Sequence, residues 1–94
     1  MNKKFDSKFE EILYAILIDY AAKTLNSNEI APIFKSKPAD ERRMIKQAIL
    51  KQLRSKVKSV GKELSEKNLS DPQELVMHQN EVKKVISDIF RDGL

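Results

Sequence analysis

The chain has 94 residues and no cysteine, with a net charge of +4 and a pI near 9.4. This length allows one domain with a modest core, so a single marginally stable unit is expected over residues 1–94. The missing cysteines exclude disulfides and Cys–His catalysis, and the most apolar run, residues 12–18, is far too short to span a bilayer.

The first predicted element is a helix over residues 7–25, because Ser7 and Glu10 have capping-box spacing. Apolar residues occupy nearly its whole circumference, which is typical of a helix that is central in a core or covered by a partner. A short second helix is predicted over residues 27–34, after a break at Asn26.

A long third helix is predicted from Pro38 to about residue 68, roughly 45 Å at 1.5 Å per residue. Gly61 lies inside it and costs about 1 kcal/mol relative to alanine, so the last turns are expected to fray or bend. Five of its apolar residues step by three and four and form an a/d seam of about two heptads. This seam consists of Leu50, Leu53, Val57, Val60 and Leu64.

The start of the last helix carries the clearest capping signal in the chain. Asp71 can cap, Pro72 suits the first helical position, and Glu74 has capping-box spacing. This helix is expected to run to about Arg91 and to end at Gly93. The sequence therefore predicts an all-α bundle of three main helices plus one short helix, with a long basic helix in the centre.

Charge is concentrated in the middle of the chain. Residues 35–67 carry eleven basic and four acidic side chains, a net of +7, whereas both flanking segments are slightly acidic. A basic stretch of this kind favours contact with an anionic partner, although most charge runs are solvated faces.

The residues offer little for catalysis. The nearest approach to a metal-ligand set is Glu74, His78 and Glu81 on one helix, but His78 is the single histidine and is expected to be a half-buried interhelix residue. Asp19 is interpreted as part of a narrow solvent-facing strip. We therefore expect no enzyme, no cofactor, no metal and no small-molecule substrate. Residues 5–11 are charged where an export signal would need an apolar core, so the predicted location is the cytoplasm.

The first functional hypothesis is a protein-binding module or regulatory accessory factor, which self-associates or docks on a larger protein. Its basis is apolar surface on the first and third helices that exceeds what a chain of this size would cover. An ordinary compact bundle that uses all of these residues in its core is the competing interpretation. The candidate interface consists of Ile16, Leu17, Leu50, Leu53, Val57, Val60 and Leu64.

The alternative hypothesis is nucleic-acid binding through the basic helix over residues 38–67. Against it, the basic region has no aromatic residue after Phe34 for stacking on bases, and Pro32 would interrupt a recognition helix. A membrane-surface role is weaker still, because the long helix carries no Trp or Phe. The candidate anion or nucleic-acid contacts are Arg42, Arg43, Lys46, Lys51, Arg54 and Lys58.

Overall fold

Three long helices form the structure, a computed structural model that describes residue 5 and residues 7–92. They are α1 (Lys8–Leu25), α3 (Ala39–Val60) and α5 (Pro72–Asp92). Two five-residue helices, α2 (Ala31–Lys35) and α4 (Glu66–Ser70), lie between them, and a 3-10 turn (Gly61–Glu63) follows α3. No strand occurs in these described ranges, which confirms the predicted all-α fold.

The starts of α1 and α5 follow the predicted caps. The Ser7 hydroxyl oxygen accepts a hydrogen bond from the Glu10 backbone N–H at 3.2 Å, and α1 ends at the predicted residue. One carboxylate oxygen of Asp71 accepts from the Gln73 N–H at 2.9 Å, and α5 begins at the next residue after Asp71. Both starts are local features, since the cap and its partner lie within three residues. The predicted end at Gly93 lies outside the described residues.

The helix α2 begins later than predicted. A turn over residues 28–30 precedes it, in which the Ser27 hydroxyl oxygen accepts from the Ile30 N–H at 3.4 Å. The Asn26 side chain instead donates to a carbonyl of α1 at 3.0 Å, so it closes α1 and does not start α2. Pro32 falls in the first turn of α2, where a missing N–H breaks no helical hydrogen bond.

The predicted long helix is shorter than expected, and its continuation to residue 68 is wrong. α3 ends at Val60, and the chain restarts at Ser65, whose N–H and O–H both donate to the Asn68 side-chain oxygen at 2.9 and 2.8 Å. The Asn68 amide also donates to both carboxylate oxygens of Glu74 at 3.0 Å. Glu74 therefore ties α5 to α4, a role that differs from the capping box predicted for it.

The long helices alternate in direction. α1 and α3 run antiparallel, since Glu10 lies against Gly61 at one end and Leu25 lies beside Lys46 at the other. α5 lies antiparallel to α3, since Lys37 just before α3 lies over Phe90 and Lys56 lies beside Glu81. Both helices pack against α1. Their buried apolar residues form one core with Phe5 and Phe34. The three long helices contribute Leu13, Tyr14, Leu17, Ala21, Ile45, Ile49, Leu53, Val57, Val82, Val85, Ile86 and Ile89.

Candidate functional site

Most of the predicted interface belongs to the core of the chain itself. Leu17, Leu53 and Val57 are 3%, 0% and 0% exposed, so the fold leaves them almost no surface with which to meet a partner. Val60 and Leu64 are half-buried and pack against the same core. The physical reason is that α1 and α5 together cover the inner side of α3, which leaves little of the a/d seam for another chain.

The remaining two interface candidates lie on the surface. Leu50 is 36% exposed and lines a groove between α1 and α3. Ile16 is half-buried and lines a second groove, between α1 and the start of α5. Both grooves flank the side of α1 that is turned away from α3 and α5, where α4 lies against its first turns.

On this side, the α1 outer face, four exposed apolar residues are interspersed with four exposed charged ones. The apolar residues are Ile12, Ala15, Ile18 and Ala22, and the charged residues are Lys8, Glu11, Asp19 and Lys23. Ile12 and Ile18 are 43% and 36% exposed, and the two alanines are also exposed. The alanines lie seven residues apart, so they share one side of the helix. Small side chains at this spacing allow a second helix to approach closely. The sequence signal for this face was the apolar character around nearly the whole of α1, although the a/d seam drew the candidate residues elsewhere.

The α1–α3 groove has an apolar floor and apolar walls. Ala21 and Ile49, both buried, form its floor. Its volume is about 170 Å³, whereas pockets for drug-sized ligands usually span about 300–1,000 Å³. The shape suits a few side chains of a docking protein better than an enclosed small molecule. The walls are Ile18, Ala22, Leu25, Lys46 and Leu50.

The α1–α5 groove is also largely apolar but carries charged residues at one edge. Ile12, Ile16 and Leu75 supply apolar side chains, and Asp19 and Lys23 lie at its rim. The Lys23 ammonium lies 3.0 Å from an Asp19 carboxylate oxygen, and both side chains are well exposed. This ion pair leaves the rim close to neutral.

The predicted anion contacts do not form one equivalent set. Arg43, Lys46, Lys51 and Lys58 are exposed, whereas Arg42 and Arg54 are half-buried. The Nε atoms of these two arginines are buried and find no hydrogen-bond partner among the described residues. Their stems therefore contribute packing as well as charge.

Two of the bases also lie over aromatic rings. The Arg54 guanidinium carbon is 5.8 Å from the centre of the Tyr14 ring, and the Lys46 ammonium is 5.8 Å from the centre of the Phe34 ring. Such cation–π contacts are worth about 0.5–1 kcal/mol at exposed sites. Lys46 is itself a wall of the α1–α3 groove, and Arg54 lies four residues after Leu50 on α3.

The single histidine occupies the interhelix position that the sequence predicts. His78 is half-buried in a cleft between the three long helices, next to Lys56 and Glu81, whose charged atoms are 4.0 Å apart. Across residue 5 and residues 7–92, no three His, Cys, Asp or Glu side chains are grouped closely enough to hold a metal ion. Within the same residues, no helix is both long and apolar enough to cross a membrane.

Comparisons with known proteins give no family for this chain. No family model, curated protein or solved structure matches it. A function must therefore be inferred from the side chains of the chain itself.

Proposed function

We propose that the chain is a non-enzymatic protein-binding module whose α1 outer face docks on another protein surface, either as an accessory factor or by self-association. One observation carries this proposal: the side of α1 turned away from α3 and α5 bears four exposed apolar residues among its charged ones, namely Ile12, Ala15, Ile18 and Ala22. A solvent-facing side of a helix normally carries mainly polar residues, and exposed apolar residues grouped among them mark an interaction site.

The energetics are consistent with anchoring by a few side chains. Complete burial of an Ile or Leu side chain is worth about 1.5–3 kcal/mol. Ile12, Ile18 and Leu50 each keep roughly two-fifths of their surface exposed, so a partner could gain about 1 kcal/mol from each. Association itself costs about 4 kcal/mol or more, so the partner must also cover the alanines and a groove. The cysteine-free composition fits a reducing compartment, and we propose the cytoplasm as the place of this role.

The first experiment asks whether a second copy covers the face. We expect Ile12→Glu with Ile18→Glu to abolish any self-association of the wild type, because both charges would be buried in the contact. Light scattering over a hundredfold concentration range measures this against the 10.9 kDa monomer. Met77→Glu is the matched control, since Met77 is 57% exposed on α5 and lines neither groove.

If the wild type is monomeric, the binding of a purified partner protein to each of the same three proteins is compared. The double variant should lose that partner while Met77→Glu keeps it. Retention of every interaction by the folded double variant would refute a role for the α1 outer face.

Nucleic-acid binding remains the second candidate, favoured by the exposure of four bases on α3. Lys51 and Lys58 form no ion pair within the described residues and are free to meet phosphates. Arg43 is in contact with Asp40 at 3.2 Å, which lowers its availability.

A further inference from the structure

We propose that the α1–α3 groove binds an amphipathic helix of a partner protein whose apolar residues enter the groove and whose side facing α3 carries Asp and Glu. This inference rests on the proposed protein-binding function and adds to it both a location and the chemistry of the partner.

The apolar half of the match comes from the groove itself. Ile18, Ala22 and Leu25 line one wall along α1, and Leu50 faces them from α3 over the buried floor. A groove between two adjacent helices with an apolar floor accepts the apolar side of a third helix, which anchors through residues at i, i+3, i+4 and i+7. Exposed Ala22 lets the backbone of that helix approach α1 closely, while Leu50 and Ile18 can pack into its gaps.

The charged half comes from the α3 wall. Arg43, Lys46 and Arg54 share one row with Leu50, because they lie at spacings of three, four and four residues along α3. Arg43 also contacts Asp40 and Arg54 is half-buried, so Lys46, which lines the groove, is the most available cation of this row. α3 as a whole carries seven basic and two acidic side chains, a net of +5. A helix lying beside Leu50 would therefore run along a row of cations, and acidic residues on that side would be electrostatically complementary.

The same row disfavours a second copy of this chain as the occupant. In a twofold contact the same patch is used by both copies, so a groove-to-groove dimer would bring the basic row of one copy towards that of the other. Like charges at such a contact are destabilising. A different protein with an acidic amphipathic helix avoids this repulsion.

A displayed library of helix-forming peptides of about 20 residues tests the occupant without assuming its sequence. The wild-type protein is the target, and Leu50→Glu is used for counter-selection. We expect the enriched peptides to share apolar residues at helical spacing together with net negative charge. Enrichment of neutral or basic peptides would overturn the inference.

Synthetic copies of the enriched peptides are then titrated by fluorescence anisotropy. We expect Leu50→Glu to weaken binding at least tenfold, Lys46→Glu to weaken it severalfold, and Met77→Glu to change it less than twofold. Affinity should fall as salt is raised, because rim charges are screened. Circular dichroism melts of each variant identify any loss caused by unfolding. Lys51→Glu then gives a second charge reversal on α3 at an exposed position.

The outcomes separate this inference from the general function. Peptides that bind through Ile12 and Ile16, and are unaffected by Leu50→Glu, would refute the groove assignment but keep the protein-binding role. Failure to enrich any peptide, together with a monomeric wild type that binds no partner through the α1 outer face, would refute both.

Discussion

At the scale of single residues, Gly61 is needed for space rather than for conformation. Its backbone has ordinary right-handed helical angles, φ −55° and ψ −40°, which any residue can adopt. A Cβ at this position would lie 2.7 Å from Cδ and 2.8 Å from Oε2 of Glu10. Glu10 is only 5% exposed, so its side chain has little room to move away. Glu10 therefore occupies the space that a side chain at residue 61 would need.

We expect Gly61→Ala to destabilise the protein by about 1 kcal/mol, the lower end of typical overpacking costs. In a Glu10→Ala background the clash is absent, and the same substitution should stabilise by up to about 1 kcal/mol through its better helix propensity. Urea unfolding of the four proteins measures both effects.

The change of sign between the two backgrounds is the result to look for. Lys62→Ala, at an exposed neighbouring position, is the control and should change stability by less than about 0.5 kcal/mol. Equal stabilisation by Gly61→Ala in both backgrounds would show that Glu10 moves aside at no cost.

Gly61 also shows what the sequence could and could not predict at this scale. Its weak helix propensity correctly indicated an irregularity near the end of the third helix. The prediction was that the last turns fray or bend. The contact with Glu10 could not be predicted, because Glu10 lies in α1, far away in the chain. Propensity is a local quantity, and a long-range contact can override it.

At the scale of elements, the caps were predictable and the packing rows were less so. The starts of α1 and α5 depend on bonds over two or three residues, which a sequence displays directly. The inner row of α3 runs at intervals of four, through Ile45, Ile49, Leu53 and Val57, whereas the predicted seam followed an a/d repeat. A row at intervals of four is one of the ridges by which helices of globular proteins pack. Leu50 was thereby grouped with residues that α1 and α5 bury.

The buried and the exposed leucine of α3 should respond differently to substitution by alanine. Leu53 is 0% exposed, so Leu53→Ala is expected to cost about 2–5 kcal/mol, including the cavity that it leaves. Leu50 is 36% exposed, and Leu50→Ala should cost about 1 kcal/mol or less. Denaturant midpoints at unchanged slope provide the comparison.

Both substitutions are Leu→Ala on the same helix, so their propensity effects are matched. Similar costs at the two positions would mean that Leu50 is part of the core and that the α1–α3 groove is closed in solution. A small cost at Leu53 would mean that α3 is rotated about its axis relative to α1 and α5.

At the scale of the whole molecule, charge and apolar surface occupy adjoining regions. The excess positive charge of residues 35–67 was evident from the sequence, as was the wide apolar circumference of α1. Which bases are free to act was not evident, because Arg42 and Arg54 are half-buried by packing that depends on the tertiary fold. The positive region borders the α1–α3 groove, and this adjacency favours an acidic protein surface over a bare phosphate backbone.

Nucleic-acid binding is the alternative function that this distribution of charge could support. We expect no binding of duplex or single-stranded probes at tens of micromolar protein in about 50 mM salt. Even non-specific binders typically reach about 10⁻⁴–10⁻⁶ M at physiological salt and bind more tightly below it. Arg43 is in contact with Asp40, and the exposed side of α3 has no aromatic residue on which a base could stack.

Anisotropy titrations of the wild type, Lys51→Glu with Lys58→Glu, and Lys83→Glu with Lys84→Glu complete the test. The second pair is a matched reversal on α5, where both lysines are exposed. Binding that is lost in the α3 pair but retained in the α5 pair would establish α3 as a phosphate-binding surface. The slope of log affinity against log salt concentration would then give the number of phosphate contacts, at about −0.9 per neutralised phosphate on duplex DNA. Because phosphate contacts carry no base information, the α3 pair should in that case weaken all sequences alike. Equal loss in both pairs would instead indicate a dependence on net charge alone, with no surface assigned to it.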